Sequence, residues 1–262
     1  MQRTTAQLKG FTIRAADGDL GTVDDFYFDD ETWTIRYLTV ETGGWLGGRP
    51  VLISPHSIIH ADWQSKRLDV ALTKKQVENS PNIDTHKPVS RQHEVEYLGY
   101  FGYPYYWAGP YSPGYYPMGT PVPINAPMEG LGKSVELADT HLRSTQAITG
   151  YYIEATDGEI GHVNGFVVDD ETWTIRYMEV ATQNWWPGKK VLVAPDWIQR
   201  VSWAESKVFV ELTRGSIQGG PEYVESRPIT REYENVLYSH YGLPPYWLRA
   251  TQNESSLTLS GV

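Results

Sequence analysis

Apolar and polar residues alternate in short runs along the first hundred residues, and glycine, aspartate or proline separates the runs. Residues 11–14 read as a first strand, and Asp17-Gly18 supplies a tight turn because glycine tolerates the positive φ of hairpin turns. Strands are then expected at 23–28, 33–40, 49–54, 58–63 and 68–72. The turn Asp29-Asp30-Glu31-Thr32 stands before the third, the loop Gly43–Gly48 before the fourth, and Pro55 ends the fourth. Six short strands with turn signals between them predict an all-β barrel or sandwich. Along 33–40, Trp33, Ile35 and Tyr37 fall on one face, while Leu38 and Val40 fall on the other, so periodicity does not choose the buried side. Residues 1–9 are polar and are expected to fray. Short helices follow the strands. One runs over 73–79 behind Thr73 as N-cap, and another starts at Ser90 and reaches about Tyr100 before Gly102 and Pro104.

The whole pattern then returns. Asp29-Asp30-Glu31-Thr32-Trp33-Thr34-Ile35-Arg36-Tyr37 recurs letter for letter at Asp169 to Tyr177, an offset of 173 − 33 = 140 residues. Laying 10–107 on 150–247 gives about 37 identities in 98 pairs without a gap. Trp45 matches Trp185, Pro88 matches Pro228, and Trp107 matches Trp247. The unit is of ordinary domain size, and the period is far too long for a solenoid. The expected organisation is a barrel with a helical arm over 1–107, a Tyr/Pro/Gly-rich linker over 108–140, a second barrel with its arm over 141–247, and a disordered tail over 248–262. A pseudo-twofold axis is expected to relate the copies.

Composition narrows the chemistry. The chain has 262 residues, a net charge of −10 and no cysteine. The acidic balance disfavours nucleic acid and anionic membranes, and the basic pairs such as Lys74-Lys75 and Lys189-Lys190 do not cluster. Without cysteine there is no disulfide framework and no thiol nucleophile, which fits a reducing compartment, and a cytoplasmic location is expected. The first residues lack the apolar core of a secretory leader, and no run reaches the length of a membrane-spanning helix. Ten tryptophans and 18 tyrosines are many for so polar a chain, and they are expected in cores and junctions.

Few residues suggest catalysis. Asp29, Asp30 and Glu31, with Asp169, Asp170 and Glu171, could serve as paired carboxylates for hydrolysis or a metal, but aspartate in a turn is explained by its bonds to backbone amides. His56 and His60 stand four apart behind Pro55, away from any helix, and the second copy has Asp196 and Arg200 there. No metal or cofactor is expected. Arg36 and Arg176, on the repeated strand, could hold a partner's carboxylate or pair with a local acid such as Glu31 or Glu41. Trp45, Trp185 and Trp186 lie in loops, where they could anchor an interface or close the barrel mouth. Tyr105, Tyr106 and Trp107 end the first arm and lead into the aromatic linker, which is expected to pack between the barrels. These eight residues are the candidate interaction set.

The order Asp-Gly-x-(Leu/Ile)-Gly-x-Val, Asp-Asp-Glu-Thr-x-x-Ile-Arg-Tyr-(Leu/Met)-x-Val, and Val-Leu-(Ile/Val)-x-Pro resembles the PRC-barrel over roughly 8–75 and again over 148–215. That small barrel occurs in the photosynthetic reaction centre H subunit and in the C-terminal domain of the ribosome maturation factor RimM. The segment Pro-Val-Ser-Arg-Gln-His-Glu, ending in Gly-Tyr-Pro-Tyr-Tyr-Trp, resembles the extension of bacterial tandem PRC-barrel proteins. The resemblance implies a non-catalytic barrel that docks on other macromolecules, and it supplies no catalytic residues to carry over. It differs from the H subunit in having no transmembrane helix, and from RimM in having a second barrel in place of a distinct N-terminal domain. The resulting expectation is a soluble protein-docking or assembly module, not an enzyme, with a homo-oligomer left open. A hydrolase or metal protein built on the acidic turns is the first alternative, and a membrane-peripheral photosynthetic assembly factor is the second.

Overall fold

The structure is a computed structural model and describes residues 1–81, 89, 91–106, 142–182 and 189–248. In chain order the described elements are β1 (Gln2–Thr4), α1 (Thr5–Leu8), β2 (Thr12–Ala15), β3 (Gly18–Asp29), β4 (Thr34–Glu41), β5 (Val51–Ile53), β6 (Ile58–Asp62), β7 (Arg67–Val70), α2 (Lys74–Glu78) and α3 (Arg91–Phe101). They continue as β8 (Leu142–Ser144), α4 (Thr145–Ile148), β9 (Tyr152–Ala155), β10 (Gly158–Asp169), β11 (Ile175–Ala181), β12 (Lys190–Val193), β13 (Ile198–Ser202), β14 (Lys207–Val210), α5 (Arg214–Gly219) and α6 (Arg231–Tyr241). The expected all-β class with small helical additions is what forms. Two compact units result, one made of Met1, Arg3–Ile148 and Val168–Ile175, the other of Gln2, Thr149–Val167 and Arg176–Val262.

The first unit is built on a sheet of order β5-β4-β3-β2-β7-β6, with β8 paired to β3 off that path. Neighbours run antiparallel except β2 and β7, which run parallel. β3 is twelve residues long because it serves three partners, meeting β2 near its start, β4 along its length and β8 at its end. Bulges at Val23/Asp25 and Tyr27/Phe28 bend it as it passes between them. Gly21 sits in that long strand at φ 151°, where an added Cβ would lie 1.9 Å from the carbonyl oxygen of Glu41. Only glycine lets β3 and β4 close up at this point.

The ambiguity over the two faces of β4 has a physical answer: both are covered. Phe26 pairs with Leu38, and Leu38 with Ile53, on the face that fills the sheet's own core. Tyr27 pairs with Tyr37 on the opposite face, which joins Leu52, Val89, Tyr97, Leu98 and Leu142 in a second cluster. The arm helix α3 supplies Tyr97 and Leu98 to that cluster, so the arm is the lid on the outer face of the sheet.

The second unit repeats the order as β12-β11-β10-β9-β14-β13, with β1 pairing β10, and Gln2 of β1 belongs to it. Gly161 repeats the close approach of Gly21, its added Cβ falling 2.1 Å from the carbonyl oxygen of Ala181. α6 begins at the N-cap Thr230, whose hydroxyl accepts from the amide of Tyr233, and ends at Gly242 in the left-handed conformation.

Two expectations need correcting. Each sheet has seven described strands, not six, and residues 1–9 do not fray. The added strand and its single helical turn come from a stretch where the 140-residue offset runs further back, Arg3 to Arg143 and Thr5 to Thr145. In the first instance Thr4 and Gln7 form a reciprocal capping box, which makes a four-residue helix tenable, and Leu8 is fully buried. Arg3 ion-pairs with Asp170 at 2.8 Å and lies 3.6 Å above the Trp63 ring. Polar composition suggested a frayed end because capping and a single buried leucine carry little weight in a hydropathy pattern.

Candidate functional site

The acidic turns are explained by their own backbone. Asp29 is buried, and its Oδ1 accepts from the amides of Glu31 and Thr32, both at 3.0 Å. Asp169 accepts from the amides of Glu171 and Thr172 at 3.0 and 3.3 Å. The carboxylate closes the turn as an Asx-type acceptor. Each turn ends on a tryptophan at positive φ, Trp33 at 53° and Trp173 at 56°, where the sequence pattern suggested the start of the strand. Trp33 stacks on Phe28 with ring centroids 5.1 Å apart, and that packing holds the unusual backbone.

Arg36 leaves the turn on β4 and meets three groups. Its guanidinium lies 3.8 Å from Asp29 Oδ2, donates to Thr32 Oγ1 at 3.2 Å, and covers the Tyr106 ring at 3.7 Å. The acid beside it is Asp29 rather than Glu31 or Glu41. Tyr106 in turn donates to Glu94 Oε1 at 2.6 Å, and Tyr37 donates to the same oxygen at 3.2 Å. Glu94 is buried on α3, so a carboxylate sits between the arm and the sheet with tyrosine hydroxyls aimed at it. Burial, and then the Glu94 carboxylate, hold the Tyr37 hydroxyl well above its usual range.

The second copy builds the same device. Tyr177 donates to Glu234 Oε1 at 2.7 Å, Tyr246 at 3.2 Å and Gln2 Nε2 at 2.6 Å. Arg231 pairs with Glu234 Oε2 at 3.0 Å, and Arg176 covers the Tyr246 ring at 4.2 Å. Burial raises the Tyr177 hydroxyl far above its usual range, with Tyr238 and Glu234 adding to it. Arg36, Tyr37, Glu94 and Tyr106 thus correspond to Arg176, Tyr177, Glu234 and Tyr246. Residue reading picked out the arginines and Tyr106 but missed the carboxylates. The signal was there: across the eleven residues of α3 and α6, only Arg91/Arg231 and Glu94/Glu234 agree.

Space beside this device is small in the first unit. A cleft of about 20 Å³ lies among Arg36, Tyr37, His56 and Tyr106, room for about one water. Burial, and then the Arg36 charge, pull His56 below its usual range. The other candidates divide. Trp45 is half-buried, donates its indole N–H to the Leu20 carbonyl at 2.6 Å, and has Lys74 5.4 Å from its ring. Tyr105 lies beside Gly99 of the arm, its hydroxyl 3.5 Å from where a Cβ would stand. Trp107, Trp185 and Trp186 lie outside the described residues, as do the linker 108–140 and the tail from 249.

A larger pocket, about 360 Å³, opens in the second unit ahead of α6, lined by Tyr223, Val224, Ile229 and Tyr233 with Glu222 and Arg227 at its lip. Sequence reading did not reach it. Among the described residues no group of three His, Asp or Glu side chains is placed to hold a metal ion, and no helix is long and apolar enough to cross a membrane.

Residues 2–77 match the family model described as the PRC-barrel domain. No curated protein matches the chain. The matched stretch runs from β1 through most of α2, the six-strand path of the first sheet with the turn, the glycine contact and the capped helix described above. Residues 2–77 therefore carry a PRC-barrel domain, and a second sheet of the same strand order follows it.

Proposed function

We propose that this chain is a non-catalytic docking module that holds a protein partner in an assembly. The observation carrying the reading is how the buried carboxylates are used. Asp25, Asp29, Glu94, Glu179 and Glu234 are all below a tenth exposed, and each accepts hydrogen bonds from the chain itself. A general acid or base must reach a reacting group in a site that admits substrate, whereas these carboxylates fasten strands, turns and arms. The cleft beside Arg36 is too small for a substrate. The PRC-barrel match supports a barrel domain of this general kind. The cysteine-free sequence fits a reducing compartment, and we place the module in the cytoplasm on that ground.

The test is cross-linked affinity purification from the native host with wild-type protein and the Trp45→Ala and Trp185→Ala variants. A partner recovered with wild-type protein and lost from either variant, with that variant's thermal melt unchanged, supports docking through the loop tryptophans. Recovery of no stoichiometric partner overturns the docking reading. A hydrolytic activity that disappears on Asp29→Asn would replace it with the enzyme alternative.

A further inference from the structure

The two copies agree in the device that fastens the arm and disagree in what lies ahead of the arm helix. Tyr223 and Tyr233, which line the 360 Å³ pocket, stand where the first copy has Ile83 and His93. The support beneath the pocket is also peculiar to the second copy. Glu179 is buried and holds Lys190 at 2.5 Å and the Asn164 amide at 2.6 Å. The first copy has Thr39, Pro50 and Asp24 at these positions. Lys190 also reaches Glu225 at 3.2 Å, and its carbonyl accepts from the Tyr223 amide at 2.8 Å. The Tyr233 hydroxyl donates to the Pro221 carbonyl at 3.3 Å. Both aromatic walls are therefore held by polar contacts behind them, as pre-organised binding sites are.

The lip carries a charge that no described side chain neutralises. Among the described lysines and arginines of the second unit, Arg176, Arg200 and Arg231 cover rings, Lys189 donates to carbonyls, Lys190 and Lys207 pair with glutamates, and Arg214 is engaged. Arg227 is exposed and is held by no acid and no ring among them. A guanidinium with no acid or ring partner among the described residues is a ready carboxylate receptor, and it stands over an aromatic and aliphatic floor. Glu222 on the same lip weighs against a ligand carrying several negative charges.

From this charge complementarity we infer that the pocket seats an aromatic or large apolar side chain of a partner polypeptide, with an adjoining carboxylate held by Arg227. The inference rests on the docking reading above and names the chemistry of the partner. The test is an NMR titration of the full-length ¹⁵N-labelled protein with N-acetyltyrosine, which has ring and carboxylate, against N-acetyltyrosinamide, which has the ring alone. N-acetyltyrosine is expected to shift the amides of Val224 and Thr230 and to bind about tenfold more tightly than the amide, the worth of one charge-assisted contact. Arg227→Ala is expected to erase that tenfold difference while leaving other amide positions unchanged, and Arg227→Lys to restore part of it. No shift at these amides up to roughly 10 mM probe, near the weakest binding such a contact should give, overturns the inference. So does equal affinity for acid and amide. Partner capture that is unaffected by Arg227→Ala overturns this inference and leaves docking intact. Failure to recover any partner while N-acetyltyrosine still binds overturns docking instead.

Discussion

At position 25 the first copy carries an aspartate where the second has Gly165, and at position 179 the second carries a glutamate where the first has Thr39. Each copy therefore places one buried carboxylate that the other lacks. Asp25 accepts from Thr145 Oγ1 at 2.7 Å and from the Gln146 amide at 3.1 Å, and it also takes the Ser144 hydroxyl. It fastens β8 and α4 to β3 inside the first unit. Glu179 fastens Lys190 and, through it, the segment that walls the pocket of the second unit. The shared carboxylates, Glu94 and Glu234, do neither, and they join arm to sheet in the same way twice. What is repeated joins arm to sheet, and what differs fastens a different segment in each copy.

That contrast can be broken at several strengths. The largest effect is expected from Gly21→Ala and Gly161→Ala. Each puts a Cβ about 2 Å from a backbone oxygen, so neither strand pair can stay closed, and each should cost about 4 kcal/mol or more in urea unfolding. A mild result at one site alone would show that the copies are not built alike there. Glu94→Ala and Glu234→Ala should each cost about 3 kcal/mol, because both orphan buried tyrosine hydroxyls. If one were neutral, the shared network would not be the common fastening. Asp25→Ala should cost about 2 kcal/mol by leaving Thr145 and the Gln146 amide unpaired. Protection of the Gln146 amide from hydrogen exchange should fall with it, while amides of β13 and β14 keep theirs.

The smallest effect per side chain is alkaline. Tyr37 and Tyr177 are held well above 10, and burial pushes Tyr103 and Tyr238 up to about 12. Between the unfolded value of about 10 and these raised values, the unfolded chain has lost protons that the folded chain keeps. The tyrosines' contribution is thus whole below about pH 10 and is lost as pH rises beyond it, by about 1.4 kcal/mol per pH unit for each tyrosine that titrates only when unfolded. Urea midpoints measured from pH 8 to 11 check the sign. A midpoint that rises above pH 10 would mean that the hydroxyls are not buried against carboxylates.

Much of this was legible because it is local. Asp-Gly and Asp-Asp-Glu-Thr mark turns by their own backbone chemistry, Thr73 and Thr230 mark helix starts, and a gapless repeat announces two like folds. Other features were hidden because they depend on distant partners. Residues 2–4 look like a loose polar end until Arg3 finds Asp170 and Trp63. Trp33 and Trp173 look like strand residues until the turn before them forces a positive φ. Glu94 looks like a solvated helix acid, yet its neighbours Tyr37 and Tyr106 come from positions 57 residues before it and 12 after.

The sequence by itself determined the duplication, the β-rich class, the turns and the arms, since periodicity and turn chemistry act over a few residues. Only the tertiary structure decided which face of β4 meets the core, where the buried carboxylates fasten, and that a tyrosine-walled pocket lined also by Arg227 opens ahead of α6. Those depend on which side chains are brought within hydrogen-bonding reach from far along the chain, and no local pattern encodes that distance.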